Sequence, residues 1–213
     1  KVQGGIVVRE AQAGESLTLL NKQTIELRTG SLLIADHEKP LALAGIMGGL
    51  DSAVSTETTD ILLESAFFQP LALAGKARSY GLHTDSSHRF ERGVDFNLQR
   101  QAIERATQLI VDIAGGEVGA VVEAVLADAL PVRRPITLRL AKITQVLGFA
   151  LPAEQIVDIL QRLGMTLETQ TDGWLVTAPS YRFDITIEVD LIEELARVYG
   201  YDNLPTQKPH FSP

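Results

Sequence analysis

The sequence predicts an α+β protein of two domains, a β-rich, barrel-like domain over residues 1–130 and a small mixed α+β domain over residues 131–213. Three observations predict this arrangement. Short β-like runs alternate with turn residues at the start, one long amphipathic helix follows them, and a proline-containing linker over residues 130–135 precedes a second set of short elements. A chain of 213 residues has room for two domains, because domains commonly run to about 100–150 residues.

The first domain opens with five short runs of β-forming residues. Turn material separates these runs, including Gly14, Gly30 and Pro40. Strands this short and this regularly spaced are typical of a sandwich or a barrel-like core. The predicted strands are Ile6–Arg9, Ser16–Leu20, Thr24–Leu27, Leu32–Ala35 and Leu41–Ala44.

The helix of the first domain is predicted over Asn97–Ala114. Its apolar residues recur at the i, i+3, i+4 spacing of one helical face, and Gly115 and Gly116 end the run.

The second domain is predicted to combine a strand, a helix, a hairpin and a final helix. Pro152 suits the first turn of a helix, Gly164 suits its C-terminal cap, and Asp172-Gly173 is a strong hairpin signal. The predicted elements are a strand at Ile136–Leu140, a helix at Pro152–Leu163, hairpin strands at Thr166–Thr169 and Trp174–Thr177, and a helix at Asp190–Tyr199.

Composition excludes several kinds of protein. The absence of cysteine excludes disulfides, thiolate catalysis and cysteine-ligated zinc. No apolar run approaches the roughly 18 residues that cross a membrane, and the N-terminus carries no export signal, so a cytoplasmic location is expected. The net charge of −8 argues against a broad basic surface for nucleic acid, so any RNA contact must be local. Because the chain starts at Lys1 without an initiator Met, we expect a piece of a longer protein.

The segment from Gly75 to Gly93, GKARSYGLHTDSSHRFERG, concentrates polar side chains without an amphipathic pattern. They cannot all be buried without partners, because an unpaired buried hydroxyl or amide costs about 1–3 kcal/mol. We therefore expect this segment to line a cleft. Its polar side chains are expected to hold a substrate and its attacking water: His83, Thr84, Asp85, Ser86 and His88. Three of its arginines are expected to meet phosphates or structural carboxylates: Arg78, Arg89 and Arg92.

The two histidines of this segment do not predict a metal site. His83 and His88 are five residues apart, which suits neither a helical i, i+4 pair nor one face of a strand. Ser86 does not lie in a nucleophile elbow, so a Ser-His-Asp hydrolase is not expected either. His83 is the best candidate for a general base that activates water.

A glycine-rich element and a lone acid lie earlier in the chain. Gly45–Gly49 matches neither a phosphate-binding loop nor GxGxxG, so it is either a bend where only glycine fits or a backbone that approaches a ligand closely. If Ile61–Phe68 is a strand, Glu64 shares a face with three apolar residues. That carboxylate either lies in a pocket, where it accepts a hydrogen bond from a ligand, or faces solvent or an arginine.

Four carboxylates are grouped near the end of the sequence. Three of them have the i, i+3, i+4 spacing of one helical face, and oxygen-only ligation suits Mg²⁺. Alternatively, acids in the first turn of a helix interact favourably with its dipole and need no metal. The candidate ligands are Asp184, Asp190, Glu193 and Glu194.

Several long motifs resemble those of the β subunits of bacterial phenylalanyl-tRNA synthetases. The resemblance covers nearly the whole chain. The motifs of the editing domain are GIMGG at residues 45–49, LESAFF at 63–68 and GLHTDSSHRFERGVD at 81–95, and those of the domain after it are APSYRFD at 178–184 and EELARVYGY at 193–201.

The resemblance implies an editing function for the first domain. In that family, an α subunit charges tRNA(Phe) with phenylalanine, using ATP, within an α2β2 tetramer, and the β editing domain hydrolyses tyrosine wrongly attached to tRNA(Phe). By resemblance, Glu64 would bind the phenol, Gly48 would line the pocket, and Thr84 and Ser86 would border the ester and its water. A site that binds a substrate hydroxyl rejects the analogue lacking it by roughly 10⁴–10⁵.

For the second domain the resemblance implies a helix-turn-helix-like fold and a Mg²⁺ site, shared with the α subunit, at the four carboxylates. The chain departs from the family at Ser86, where alanine is common. It also lacks a histidine-bearing segment that precedes the position of Lys1 in relatives. Three functions are therefore weighed: a hydrolase that edits mischarged tRNA, a non-catalytic structural or tRNA-docking module, and a stand-alone nucleic-acid-binding protein. The last is the weakest, because Ile156–Leu163 offers only Arg162 as a basic residue.

Overall fold

The structure is a computed structural model that describes residues 2–206. It divides into two compact units, Lys1–Leu130 and Pro131–Pro213. The α+β class predicted from the sequence is confirmed, since strands and helices occur in both units.

The strands of the first unit form one antiparallel sheet and one two-stranded ribbon. The sheet has the order β1-β4-β5-β6 and the ribbon pairs β2 with β3. Among the described residues these sheets stay open, so the barrel-like form is not confirmed. The strands are β1 Val7–Glu10, β2 Ser16–Thr18, β3 Thr24–Glu26, β4 Leu32–Ala35, β5 Pro40–Leu43 and β6 Met47–Gly48.

Each of the five predicted strands of this unit is present, with its bounds shifted by at most two residues. One core contains apolar side chains from β2, β3, β4 and β5, with Leu19, Leu33 and Leu43 fully buried in it. Tyr80 and Leu82, from the chain after α2, are buried in the same core. The packing of that later chain against the strands is what brings the polar segment to the sheet. Ile34 of β4 instead belongs to a second cluster, with Phe68 and Leu73.

The strand considered for Ile61–Phe68 does not form. These residues carry no regular secondary structure, and Leu62 is 63% exposed, so their alternation does not build one buried face. Only Phe68 is buried, where its ring lies 5.2 Å from that of Phe90. The run was apolar enough for a strand but finds no partner strand among the described residues.

Four helices complete the first unit, of which only the last was predicted. The polar segment, which showed no amphipathic pattern, contains two of the others. The helices are α1 Pro70–Leu73, α2 Lys76–Ser79, α3 Asp85–Arg92 and α4 Gln99–Ala114. None of the side chains of α4 is buried by the described residues, and Ile113 is 83% exposed.

The second unit packs three helices on a three-stranded antiparallel sheet of order β7-β9-β8. Its core is continuous and includes Leu138, Ile156, Val176 and Leu195. The elements are β7 Ile136–Arg139, α5 Leu140–Leu147, α6 Ala153–Arg162, β8 Thr166–Gln170, β9 Gly173–Thr177 and α7 Glu188–Tyr199.

The hairpin turn lies one residue earlier than predicted. Gln170 pairs with Gly173, so Thr171-Asp172 form the loop and Gly173 belongs to β9. Gly173 has φ +153, and a β-carbon there would overlap the carbonyl oxygen of Leu138 in β7. Glycine is needed here for close approach between strands, not for the turn itself.

None of the helices in the described residues is both long and apolar enough to cross a membrane.

Candidate functional site

The start of α3 is anchored on the glycine-rich bend at Gly45–Ile46. Thr84 is the residue that caps this helix, and its Oγ1 accepts a hydrogen bond from the Ser87 N–H at 3.0 Å. The same hydroxyl donates to the carbonyl of Ile46 at 2.9 Å. One side chain therefore ends the helix and ties it to a segment 38 residues earlier in the chain.

Ser86 makes a second link to the bend. Its Oγ donates to the carbonyl of Gly45 at 2.9 Å, next to the carbonyl that Thr84 uses. Both hydroxyl protons are thus occupied by main-chain acceptors. The Thr84 oxygen is also occupied as an acceptor, whereas the Ser86 oxygen keeps the capacity to accept a hydrogen bond from water.

Gly45 must be glycine for two reasons. Its φ is +65, the left-handed region, and a β-carbon would stand 2.7 Å from Leu73 Cδ1 and 3.2 Å from both Phe68 and Phe90 ring carbons. This supports the interpretation of the bend as a place where only glycine fits.

Gly48 lies two residues past this anchored pair, at the end of β6, and is partly exposed. Its carbonyl accepts from the Leu20 N–H at 3.0 Å, and a β-carbon would stand 3.2 Å from Leu20 Cδ1. Gly48 therefore follows closely along the chain after the two carbonyl groups to which Thr84 and Ser86 donate.

The two histidines are exposed and lie beside α3. Their ring centres are 6.5 Å apart, and His88 Nδ1 is 2.8 Å from Arg92 Nη1. In the part of the chain that the structure describes, His83 makes no hydrogen bond that would orient its ring. Its ring can contact solvent or a ligand, but no described residue orients the ring for a role as a general base.

Glu64 lies in the irregular segment that precedes Phe68, and its side chain is exposed. Protein atoms packed on one side of the carboxylate still desolvate it enough to raise its pKa above the ordinary value. Because the side chain is exposed, the enclosed apolar pocket predicted for Glu64 is not formed by the described residues, and no hydrogen bond joins it to Gly48 or Thr84.

Three of the four carboxylates predicted to bind Mg²⁺ have other partners in the second unit. Asp190 accepts hydrogen bonds from the N–H groups of Thr186 at 2.7 Å and Ile187 at 2.9 Å, which caps the first turn of α7. Asp184 is paired with Arg182 at 2.7 Å. Glu193 is exposed on α7.

Glu194 is the buried member of the set. Arg182 and Arg197 pair with its Oε2 at 2.9 and 2.6 Å, and these two guanidinium groups hold its pKa at about 2. Arg182 bridges Glu194 to Asp184 and so occupies the position of a cation between them.

These residues do not fit a metal site by themselves. Within residues 2–206, no group of three or more acidic or histidine side chains is arranged to hold an ion. On α7, Glu193 is exposed whereas Glu194 is buried, and Arg182 and the first turn of the helix already use Glu194 and Asp190. A shared Mg²⁺ site at Asp190, Glu193 and Glu194 stays a prediction.

A hydrogen-bonded tyrosine–serine pair in the first unit was not predicted from the sequence. The Tyr80 hydroxyl lies 2.7 Å from Ser31 Oγ and accepts from the Arg28 N–H at 2.7 Å. Tyr80 belongs to the polar segment, but no local signal links it to a turn about 50 residues earlier.

Comparison with known families matches both units. Residues 1–115 match the B3/4 domain and residues 136–201 match the tRNA synthetase B5 domain.

Individual relatives match nearly the whole chain. The phenylalanine–tRNA ligase beta subunits of Pseudoalteromonas translucida and Methylococcus capsulatus are 56% and 58% identical over 98% of this chain. The chain spans 26% of the length of each, about a quarter.

Among solved structures, an N-terminal fragment of the phenylalanyl-tRNA synthetase beta-subunit from Pyrococcus horikoshii is 19% identical. The match covers 94% of this chain and 58% of that one, with a TM-score of 0.47.

Proposed function

Because the chain belongs to the B3/4 domain family, we propose that it is the editing segment of a phenylalanine–tRNA ligase beta subunit, and that it hydrolyses tyrosine wrongly attached to tRNA(Phe). The observation that carries this proposal is the identity of 56–58% to such beta subunits over 98% of the chain. Aminoacylation with ATP, the α partner of an α2β2 tetramer and a cytoplasmic location belong to the same proposal.

The geometry supports a hydrolytic site at the bend. Ser86 keeps a lone pair available for a water molecule, beside the exposed His83 and the partly exposed Gly48. Thr84 serves as a positioning residue, since its hydroxyl proton and one of its two lone pairs anchor α3. Water, not a side-chain nucleophile, attacks the aminoacyl ester, and His83 or a tRNA hydroxyl orients it.

Glu64 is proposed to recognise the phenol of tyrosine. The partial desolvation that raises its pKa strengthens a hydrogen bond formed with a ligand hydroxyl. Because Glu64 is exposed in this chain, the proposal requires the substrate, or chain outside these residues, to complete the apolar wall of the pocket.

Binding of Mg²⁺ is proposed only for the complete ligase. Asp184, Asp190, Glu193 and Glu194 would need ligands from another subunit, and no step of the hydrolysis is derived from a metal. The barrel-like form of the first domain and the helix-turn-helix-like form of the second are likewise part of this proposal.

A non-catalytic tRNA-docking or structural module is the alternative, favoured by the exposure of Glu64 and by the absence of an oriented base among the described residues. Intact ligase with Glu64→Ala should lose most hydrolysis of Tyr-tRNA(Phe), measured as release of labelled tyrosine. Glu57→Ala, an exposed acid in the same irregular segment, is the control. If Glu64→Ala and the control both hydrolyse as fast as the parent ligase, the phenol-binding role is rejected and the docking module is favoured.

A further inference from the structure

The segment that carries Glu64 has little main-chain support of its own. Residues 61–68 form neither a helix nor a strand. Within the part of the chain that the structure describes, none of their N–H groups or carbonyls takes part in a hydrogen bond between main-chain groups. The carboxylate proposed to bind the phenol therefore lies on irregular chain, and its position depends on side chains that reach this segment from elsewhere.

Gln99, the first residue of α4, is the residue that reaches it. Its Nε2 donates to the carbonyl of Ala66 at 3.3 Å and to the carbonyl of Asp95 at 2.7 Å. An amide nitrogen carries two protons, so one side chain can hold both carbonyls at once. Among the described residues, this is the one hydrogen bond made by the main chain of residues 61–68. Because Ala66 is two residues from Glu64, the bond fixes the chain close to the carboxylate.

Two aromatic contacts hold the end of the same segment. Phe68 is buried, and its ring centre lies 5.2 Å from that of Phe90 in α3. The ring centre of Phe67 lies 6.1 Å from that of Phe96, which precedes α4, in an edge-to-face arrangement. Hydrophobic packing is non-directional, so these contacts keep the segment against the unit, whereas the hydrogen bond from α4 sets the direction of its main chain.

The hydroxyl groups that border the proposed attacking water are held in a different way. Thr84 and Ser86 donate to the carbonyls of Ile46 and Gly45, and the hydrogen bonds of Gln99 go to other groups. Loss of the Gln99 donors should therefore displace the segment that carries the carboxylate and leave the hydrolytic groups in place.

We propose that Gln99 is a positioning residue that sets the preference of the site for tyrosine over phenylalanine, because it holds Glu64 within reach of the phenol. This inference rests on the proposed function and deepens it. The two amino acids differ by one hydroxyl, so a displaced carboxylate costs the tyrosine ester a hydrogen bond, whereas the phenylalanine ester has none to lose. A displacement of about 1 Å is enough to break a hydrogen bond of ordinary length.

The test measures hydrolysis of Tyr-tRNA(Phe) and Phe-tRNA(Phe) by the intact ligase with Gln99→Met. Methionine has a similar length but no N–H donor. The ratio of the two kcat/KM values should fall about five- to tenfold, because Tyr-tRNA(Phe) is hydrolysed less efficiently while Phe-tRNA(Phe) is hydrolysed as before. Gln101→Met is the matched control and should keep the parent ratio, since Gln101 is exposed on the same helix.

A double-mutant cycle tests whether Gln99 acts through Glu64. With Glu64→Ala already in place, Gln99→Met should leave the ratio unchanged, because the carboxylate that it positions is gone. An equal fall of the ratio in both backgrounds would overturn the inference. Equal losses for the two esters in Gln99→Met would overturn it as well, because they would show a structural role without an effect on specificity.

The failure of this inference can be told apart from the failure of the proposed function. If the parent ligase prefers Tyr-tRNA(Phe) and Gln99→Met keeps that preference, the role of Gln99 is rejected and the proposed function stands. If the parent ligase hydrolyses neither ester, both proposals are rejected. Thermal unfolding of Gln99→Met and Gln101→Met checks that both variants are folded at the assay temperature.

Discussion

Thr84 donates its hydroxyl proton to the carbonyl of Ile46 at 2.9 Å while its oxygen accepts the N–H of Ser87 at 3.0 Å. The two bonds place the beginning of α3 on the glycine-rich bend. Every feature proposed for hydrolysis depends on this anchor, because Ser86 and His83 flank Thr84 in the chain.

Replacing Thr84 with valine should therefore destabilise the protein. The change keeps the shape but removes the helix cap and leaves the Ile46 carbonyl without its donor, at a cost of about 1–3 kcal/mol in the free energy of unfolding. Urea denaturation measures this directly. Thr84→Ser keeps the hydroxyl and should recover most of the loss; equal stability of Thr84→Val and the parent would show that the anchor contributes nothing.

Gly45→Ala should lower the free energy of unfolding by more than the strain of a left-handed backbone alone. The substitution adds the strain of φ +65 to overlap with Leu73 and two phenylalanine rings, so we expect a loss of about 2–4 kcal/mol. Gly14→Ala is the matched control, since Gly14 has φ +84 and nothing within 4 Å of an added β-carbon, and should lose about 1–2 kcal/mol. Equal losses for the two variants would contradict the tight packing at the bend.

The sequence predicted the elements whose pattern is local. The five early strands and α4 follow from short-range alternation and helical spacing, and they appear nearly where expected. The strand considered at Ile61–Phe68 does not form, because no other strand among the described residues pairs with it. A local sequence pattern does not reveal whether such a partner strand is present. α3 was not predicted, because its sequence has no apolar stripe. Thr84 is suited to cap the start of a helix and Gly93 to end it, but these two signals alone did not indicate a helix.

The candidate site was predictable in its composition but not in its geometry. The family resemblance implied that Thr84, Ser86 and Gly48 share a site. In the structure, Thr84 and Ser86 bond to the carbonyls of Ile46 and Gly45, and the site that would include Gly48 stays a prediction. The environment of Glu64 could not be predicted, because burial depends on chain that packs from elsewhere. For the same reason, Arg182 was not foreseen as the partner of both Asp184 and Glu194.

Glu194 should make stability depend on pH in the acid range. Its pKa in the folded protein, about 2, lies below the ordinary 4.5, so its contribution is full above about pH 4.5 and is lost as the pH falls towards 2. Glu194→Gln should lower the free energy of unfolding by about 1–3 kcal/mol at pH 7, because Arg182 and Arg197 lose their charged partner. The difference from the parent should shrink steadily below pH 4.5.

Glu193→Gln is the control for this experiment, since Glu193 is exposed on the same helix. It should change stability little at any pH. A difference between Glu194→Gln and the parent that stays constant from pH 7 to about pH 3 would contradict the ion-pair account.

Glu64 should show the opposite pH behaviour. Its pKa is raised by desolvation, so ionisation is disfavoured in the folded state and its effect on stability becomes less favourable as the pH rises through the unfolded pKa and up to the folded one. Glu64→Gln should therefore gain stability relative to the parent between about pH 4 and pH 7. Carboxyl NMR titration should give Glu64 a pKa above the ordinary value of a glutamate. An unshifted pKa of Glu64 would mean that its carboxylate is fully hydrated.

The central claim is that this segment distinguishes tyrosine from phenylalanine on tRNA(Phe) through Glu64. Its most direct test is the ratio of hydrolysis rates of Tyr-tRNA(Phe) and Phe-tRNA(Phe) by the intact ligase. We predict a ratio far above one for the parent and for Glu57→Ala, and a ratio close to one for Glu64→Ala because the phenol loses its acceptor. A high ratio that survives Glu64→Ala would contradict the claim.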